Sequence, residues 1–355
     1  MQGSINGNPD NKPVYYKNRS PFRWLVLFLS CWAMLGSYYC YDNPTALNTQ
    51  IQDEYGLTSI QYNLLYSVYS IPNTILPLFG GALVDKIGAD YSLVLFLSLC
   101  TIGQAIFAFG ASIKSFIVML IGRTVFGFGG ESLTVAESAY LALYFTGKEV
   151  AFAMGLNLSL ARSGSSLNDF VTLAVYNGTG SIPFALWVGV FLLCLCLCFT
   201  ILMIVLDTWM SKKKENEGYF VPKAESGEVV KISDITDFGL IYWLLCISCV
   251  VVYGCVLPWN NIGASEMQYT FGLSDSKGNS YLAIPYLTSA ILTPPCGLMV
   301  DKIGHRCQLL LVSAIALCTS HYLFAFQTQI TPLLGLILIG IGYSLYAAAI
   351  WPSIA

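Results

Sequence analysis

Gly81-Ala82-Leu83-Val84-Asp85-Lys86-Ile87-Gly88-Ala89-Asp90 and Gly297-Leu298-Met299-Val300-Asp301-Lys302-Ile303-Gly304-His305-Arg306 are two versions of one turn. The Gly, Val, Asp, Lys and Ile positions recur in register, and a second glycine follows in both. Each copy closes a proline-bearing apolar run and opens the next one within a few residues, so each reads as a tight polar turn between two long hydrophobic segments. The copies stand more than half the chain apart. That distance is too long for a solenoid repeat and points to a duplicated half-protein.

The composition around the turns sets the solvent. Of 355 residues, 55% are hydrophobic and only 10% charged, too few charges to solvate a globular surface. The chain therefore reads as an all-α integral membrane protein. A formal charge of -3, with no Lys/Arg cluster interleaved with aromatics, argues against a nucleic-acid partner. The twelve cysteines lie almost entirely inside apolar runs, Cys194, Cys196 and Cys198 among them, and read as small lipid- or core-facing residues. Cys246 and Cys249 have the spacing of a redox pair but sit in mid-helix with no histidine partners, so neither a redox role nor a metal is expected.

Residues 1–21 are polar, carry Pro9, Pro13 and Pro21 with Lys12, Lys17 and Arg19, and read as a disordered basic tail. The run from Phe22 to Tyr41 is too long for the core of a signal peptide and has no small-residue cleavage site behind it, so it is expected to remain as a spanning helix. Five more runs follow, at 61–84, 91–109, 116–145, 152–176 and 184–206, each near the ~20 residues of a bilayer crossing. A hydrophilic stretch over 207–237, with Lys212, Lys213 and Lys214 near its head, precedes four further runs at 240–261, 281–300, 307–326 and 333–355. The expected organisation is a tail over 1–21, a six-helix bundle over 22–206, a linker over 207–238 and a four-helix block over 239–355.

Orientation follows from the basic residues outside these runs. With the N-terminus in the cytosol, thirteen of the fifteen fall on the cytosolic side and only Lys114 and Lys277 on the other. The bias puts both repeated turns and the central linker in the cytosol. The sequon Asn177-Gly178-Thr179 then falls in a non-cytosolic loop, where a glycan can be attached. Those at Asn18 and Asn157 are expected to be silent, one cytosolic and one inside a helix.

The repeated Gly-x-x-x-Asp-Lys-x-Gly turn resembles the signature loop of the major facilitator superfamily, and the resemblance covers essentially the whole chain. Three further segments look like that superfamily's type-one domain-containing branch, the lysosomal dipeptide uniporters. They are Gly36 to Pro44, with Tyr38, Tyr39, Tyr41, Asp42 and Asn43; Gly122-Arg123 through Gly127, Gly129, Gly130 and Glu131; and Gly342-Tyr343-Ser344 through Trp351-Pro352. The resemblance implies two pseudo-repeated helical bundles and a gating role for Gly81, Asp85, Lys86, Gly88, Asp301, Lys302, Gly304 and Arg306. It implies a dipeptide substrate, a multi-pass lysosomal location and no cofactor, and it allows a glycosylated single-pass accessory subunit as partner. Two departures stand out. The first turn carries Ala89 and Asp90 where the second keeps His305 and Arg306, so an ion-pair latch is expected to be weaker there. Members have twelve helices, and this chain reads as about ten, the expectation being a truncated product or partial chain lacking the last two.

Charges inside the runs are few, and each costs at least ~2.5 kcal/mol at a helix centre unless it has a partner or a use. At ~1.5 Å per residue, Glu131 is about 20 Å from either end of its run and Arg162 roughly 15 Å into the next. Both lie near the midplane of antiparallel neighbours, where they suit either a structural ion pair or a clamp on a zwitterion. A dipeptide separates its ammonium and carboxylate by some 5 to 8 Å, given ~3.8 Å per Cα step. A guanidinium fork suits a carboxylate bidentately, and the resemblance implies the clamp for these two residues. Arg123 is expected to be structural or gating, and Glu137, about 120° from Glu131 on the helix wheel, to face elsewhere. Tyr38 and Asn43 are candidates for lining the cavity, with an interfacial belt as the alternative. Pro72 and Pro77 in the second run and Pro285, Pro294 and Pro295 in the eighth suggest matched helix breaks of the kind used by rocking elements. The glycines before Glu131 suit close helix packing better than a phosphate loop, since no strand precedes them and no lysine follows.

No nucleophile elbow, Walker or zinc spacing occurs, so an enzyme is not expected. The expected function is export of dipeptides or short peptides from the lysosome by facilitated diffusion through alternating access. The alternatives are a proton-coupled small-solute symporter, or a non-transporting scaffold or receptor if a ten-helix form is genuine; the plasma membrane or another endomembrane is the alternative location.

Overall fold

The computed structural model describes residues 13–74, 76–145, 148–220, 239–326 and 332–354. A short 3-10 turn, Lys17–Arg19, leads into thirteen α-helices: α1 (Phe22–Tyr41), α2 (Asn43–Ala46), α3 (Asn48–Tyr55), α4 (Ser59–Asn73), α5 (Leu76–Ile87), α6 (Ala89–Ser112), α7 (Phe116–Ala142), α8 (Lys148–Thr179), α9 (Ile182–Asn216), α10 (Leu240–Tyr269), α11 (Asp275–Ile303), α12 (Arg306–Phe326) and α13 (Leu333–Ile354). Eight are long and apolar enough to cross a membrane: α1, α6, α7 and α9 to α13. The α4–α5 pair and α8 complete the ten runs expected. All ten are helical, and the chain is an all-α membrane protein.

Local chemistry accounts for the ends. Thr58 caps α4 with a capping box, its hydroxyl accepting from the Gln61 backbone N–H at 3.3 Å while its own N–H donates to Gln61 Oε1 at 2.9 Å. Both repeated turns need their second glycine: Gly88 has φ +91° and Gly304 φ +80°, a region that side chains with a Cβ avoid. Glycine also sets the spacing of helices. A Cβ on Gly103 would strike the backbone nitrogen of Phe126 and one on Gly122 that of Phe107, so α6 and α7 touch backbone to backbone. Gly164 brings α8 equally close to the Leu35 carbonyl of α1.

The first bundle, α1 to α9, encloses two apolar clusters. One surrounds Val26, Phe126, Tyr140 and Leu193, the other Leu47, Tyr62, Phe107 and Leu186. The second, α10 to α13, has a smaller one around Val256, Met267, Leu317 and Leu336. The two bundles meet along α8 and α11, with further contact from α2 and α3 onto α10. Outward faces are apolar, as lipid requires: Ile241, Leu244, Ile247 and Val250 on α10 are all exposed.

Four expectations need correction. The segment over 13–20 is not a disordered tail. Its Tyr15 N–H donates to the Phe220 carbonyl at 2.8 Å, Phe220 N–H donates to the Pro13 carbonyl at 2.9 Å, and Lys17 grips Asp207 at 2.8 Å. Residues 1–12 lie outside the described residues. The hydrophilic stretch does not begin as a loop at 207, because α9 continues to Asn216 and buries Asp207 against Lys17 and the Tyr140 hydroxyl; 221–238 lie outside the described residues. The proline breaks are not matched either. The second run is divided into α4 and α5 near Pro72, whereas α11 runs through Pro285, Pro294 and Pro295. One cause is visible: Pro294 has no N–H for the Ala290 carbonyl, and Ser159 of α8 donates to that oxygen at 2.6 Å instead. Asn177, finally, sits in the exposed last turn of α8 rather than in a loop.

Candidate functional site

Arg162 lies 1% exposed in the middle of α8, yet its partners belong to the other bundle. Its Nη1 donates to the hydroxyls of Ser289 and, at 2.8 Å, Thr293, one turn apart on α11. Its guanidinium stacks 4.0 Å over the Tyr343 ring of α13. Ser344 donates to Ser289 Oγ at 3.0 Å and so ties α13 into the same group. Nε has no hydrogen-bond partner among the described residues. This buried cation is thus held by neutral hydroxyls and a π-face, with no carboxylate against it among the described residues.

Glu131 occupies the matched depth on α7, and the two do not form an ion pair. The Tyr69 hydroxyl of α4 donates to Glu131 Oε1 at 3.3 Å. Glu131 is exposed although it lies halfway along a helix that is half buried. Tyr38 and Tyr41 of α1 and Tyr69 of α4 lie close enough to feel its charge. Tyr38, partly exposed, lies close enough to feel the charges of both Glu131 and Arg162.

Other candidates separate from this group. Asn43 is fully buried and committed. Its Nδ2 donates to Asn168 at 2.7 Å and Thr172 at 3.3 Å, and its Oδ1 accepts from Gln104 at 2.7 Å, so its amide serves the first bundle's interior rather than the cavity wall. Arg123 is likewise fully buried. It donates to the carbonyls of Tyr41 at 3.0 Å, Cys40 at 3.3 Å and Leu65 at 3.4 Å, with Tyr41, Tyr66, Tyr69, Phe107 and Phe126 around its guanidinium. Those carbonyls fall at the end of α1 and in α4, so Arg123 ties three helices of one bundle. Glu137 faces away from Glu131, buried, and accepts from Asn157 Nδ2.

Of the repeated turns, Gly81 is partly buried while Asp85, Lys86 and Gly88 are exposed, and no described residue pairs with Asp85. Lys302, Gly304 and Arg306 are exposed; the Asp301 side chain lies outside the described residues. Asp90, the departure in the first turn, is within electrostatic range of Lys17 and Asp207, so a lysine from the N-terminal segment stands near where the second turn has its own basic pair. At the opposite end of the bundles the halves close with neutral bonds: Asn279 Nδ2 donates to the Ala46 carbonyl at 3.1 Å, and Thr49 donates to Gln268 at 3.2 Å.

Sequence reasoning missed Ser289 and Thr293 entirely, and singled out the segment of Tyr343 and Ser344 without placing either beside Arg162. A signal existed in the four-residue spacing of Ser289 and Thr293, which puts two hydroxyls on one face of a proline-rich run. Which residue they would serve lay in the other half of the chain.

Comparison with known proteins agrees with this architecture. The Major Facilitator Superfamily family description matches residues 24–355. The chain is similar to the lysosomal dipeptide transporter MFSD1 of Homo sapiens, at 36% identity over 348 residues, covering 95% of this chain and 74% of that one. The Danio rerio protein of the same name is 34% identical over 371 residues, covering 100% of this chain and 80% of that one. Among solved structures, a bacterial homologue of the human lysosomal transporter Spinster, in an inward-facing and unoccupied conformation, superposes with a TM-score of 0.64 at 16% identity, covering 94% of this chain and 75% of that one. The nucleoside transporter NupG gives 0.66 at 12% identity, covering 90% and 80%. With its two bundles, its repeated turn and these relatives, the chain belongs to the major facilitator superfamily.

Proposed function

We propose that this chain is a multi-pass lysosomal membrane transporter that moves dipeptides and other short peptides by facilitated diffusion through alternating access, with its basic end in the cytosol. Support for the substrate class comes from the relatives' name together with one observation. A buried guanidinium with no anionic partner among the described residues stands on α8 and an exposed carboxylate on α7, with Tyr38 close enough to feel both charges. Arg162 would take the substrate carboxylate and Glu131 its ammonium, because each is the charge complement of one terminus. A structural ion pair fits less well, since the two side chains hold Tyr69 on one wall and Ser289 and Thr293 on the other. The accessory single-pass subunit belongs to this reading as well, the exposed apolar face of α10 being one surface of the right chemistry.

The test is uptake of a labelled neutral dipeptide into proteoliposomes holding the protein, with and without an inward pH gradient. Facilitated diffusion gives equilibration to the external concentration in both cases and faster exchange when unlabelled dipeptide is inside. Accumulation above equilibrium under the gradient would replace this reading with proton coupling.

A further inference from the structure

The carboxylate half of the site is split between the two bundles in an unusual way: α8 supplies the cation, and α11 and α13 decide how it is held. Ser289 and Thr293 both accept from Nη1. Tyr343 fixes the plane of the guanidinium from below at 4.0 Å, and Ser344 fixes Ser289 at 3.0 Å. Thr293 is in turn locked, because its hydroxyl donates to the Ser289 carbonyl at 2.7 Å. The hydrogen bonds to the fork both fall on Nη1, and the ring covers the face of the guanidinium. Nε, buried and without a partner among the described residues, lies on the opposite edge. A carboxylate binds a guanidinium through two parallel N–H donors, and the edge formed by Nε and Nη2 supplies such a pair without disturbing Nη1.

We infer that Ser289, Thr293 and Tyr343 are positioning residues for the substrate carboxylate: they hold Arg162 so that its Nε edge, not its Nη1 edge, meets the ligand. This rests on the reading of Arg162 as the carboxylate subsite. Its physical basis is preorganisation. An arginine side chain has about 2 kcal/mol of rotamer entropy to lose, and a guanidinium already clamped by hydroxyls and a ring loses less of it on binding. Because the clamp comes from α11 and α13, the subsite is complete only while the second bundle is docked on α8. The acid group of the substrate would therefore be felt by both halves through a single side chain of the first.

The experiment compares a neutral dipeptide with its C-terminal amide in the full protein, for wild type, Thr293→Val, Thr293→Ser and Tyr343→Leu. Affinity is measured by ligand-induced thermal stabilisation, and KM and maximal rate by transport in proteoliposomes. Thr293→Val is nearly isosteric and removes only the hydroxyl. It is expected to weaken binding of the free acid by about three- to tenfold, as the loss of one hydrogen bond allows, through KM and not maximal rate. Amide binding should stay unchanged, and Thr293→Ser should restore wild-type behaviour. Tyr343→Leu should act in the same direction. Equal losses for acid and amide, or a loss of maximal rate with KM unaltered, would overturn the positioning role and leave Thr293 a packing residue. Failure of the carboxylate reading itself looks different: wild type would bind acid and amide equally. Should Tyr343→Leu fail to fold, the two Thr293 variants decide the matter alone.

Discussion

Glu131 and Arg162 lie at matched depth on consecutive helices and yet do not touch: the carboxylate holds the Tyr69 hydroxyl at 3.3 Å, and the guanidinium holds Thr293 at 2.8 Å on the far bundle. Two opposite charges kept apart in a medium of low dielectric are each left to seek a partner from outside. A zwitterion brings both. This separation makes the two ends of the substrate independently testable.

Glu131→Gln should weaken binding at the ammonium end, and Arg162→Ala at the carboxylate end. Each removes a charge-assisted contact of about 1.5–3 kcal/mol, ten- to a hundredfold in affinity. N-acetylated dipeptides should bind wild type poorly and lose little more on Glu131→Gln; C-amidated dipeptides should behave likewise on Arg162→Ala. Parallel loss of capped and uncapped ligands, together with lost thermal stability, would return both residues to a structural role.

Arg123 should respond differently. It donates to carbonyls of Cys40, Tyr41 and Leu65 and meets the proposed site only through the rings of Tyr41 and Tyr69. Replacing it by Gln leaves at least one of these three oxygens short of its side-chain donor, at about 1–3 kcal/mol, and removes the guanidinium from the surrounding rings. The expected outcome is a sharply lowered melting temperature and poor yield of monodisperse protein. Whatever folded protein remains should keep its wild-type preference for free over capped dipeptides. A variant with normal stability and altered preference would show that Arg123 reads the substrate.

The N-terminal strap should matter to stability through one ion pair. Lys17 and Asp207 lie 2.8 Å apart, with side chains 21% and 8% exposed. Removing the cation leaves a buried carboxylate with only the Tyr140 and Ser211 hydroxyls among the described residues, which costs more than the ~1 kcal/mol of an exposed pair. Lys17→Met should lower the melting temperature clearly while making the chain near residue 13 markedly easier to cleave by limited proteolysis. Unchanged cleavage would mean that the backbone bonds to Phe220 hold the segment without the lysine.

Much of this was legible in the sequence for a simple reason: bilayer spans, turn glycines and intramembrane charges are constrained locally. The run from Phe22 to Tyr41 is the observed helix to the residue, and Gly88 and Gly304 take the positive φ that their place in the turn demands. What escaped depends on which helices meet. Lys17 reaches Asp207 across 190 residues and Arg162 reaches Thr293 across 131, and nothing in either neighbourhood reports the other. Asn43 was misjudged for a related cause. A polar residue at a helix end suits a wet cavity or a saturated buried network equally, and only the positions of Gln104, Asn168 and Thr172 decide between them.

The closure opposite the basic end yields the last expectation. It joins the bundles through Asn279 to the Ala46 carbonyl at 3.1 Å and Thr49 to Gln268 at 3.2 Å, with no ion pair between the bundles there among the described residues. Neutral bonds of this sort contribute about 1 kcal/mol each, net of their replacement by water. Asn279→Ala should therefore shift the balance between states closed and open at that end about fivefold toward open, and Asn279→Ala with Gln268→Ala further still. A cysteine placed at Ala46, whose buried side chain takes no part in either bond, reports the change as faster labelling by an impermeant reagent from the side that carries Asn177. The carbonyl of Ala46 can take water once freed, so stability should fall only slightly. Labelling at the wild-type rate in both variants would show that apolar contact between the bundles, and not these two bonds, holds the gate shut.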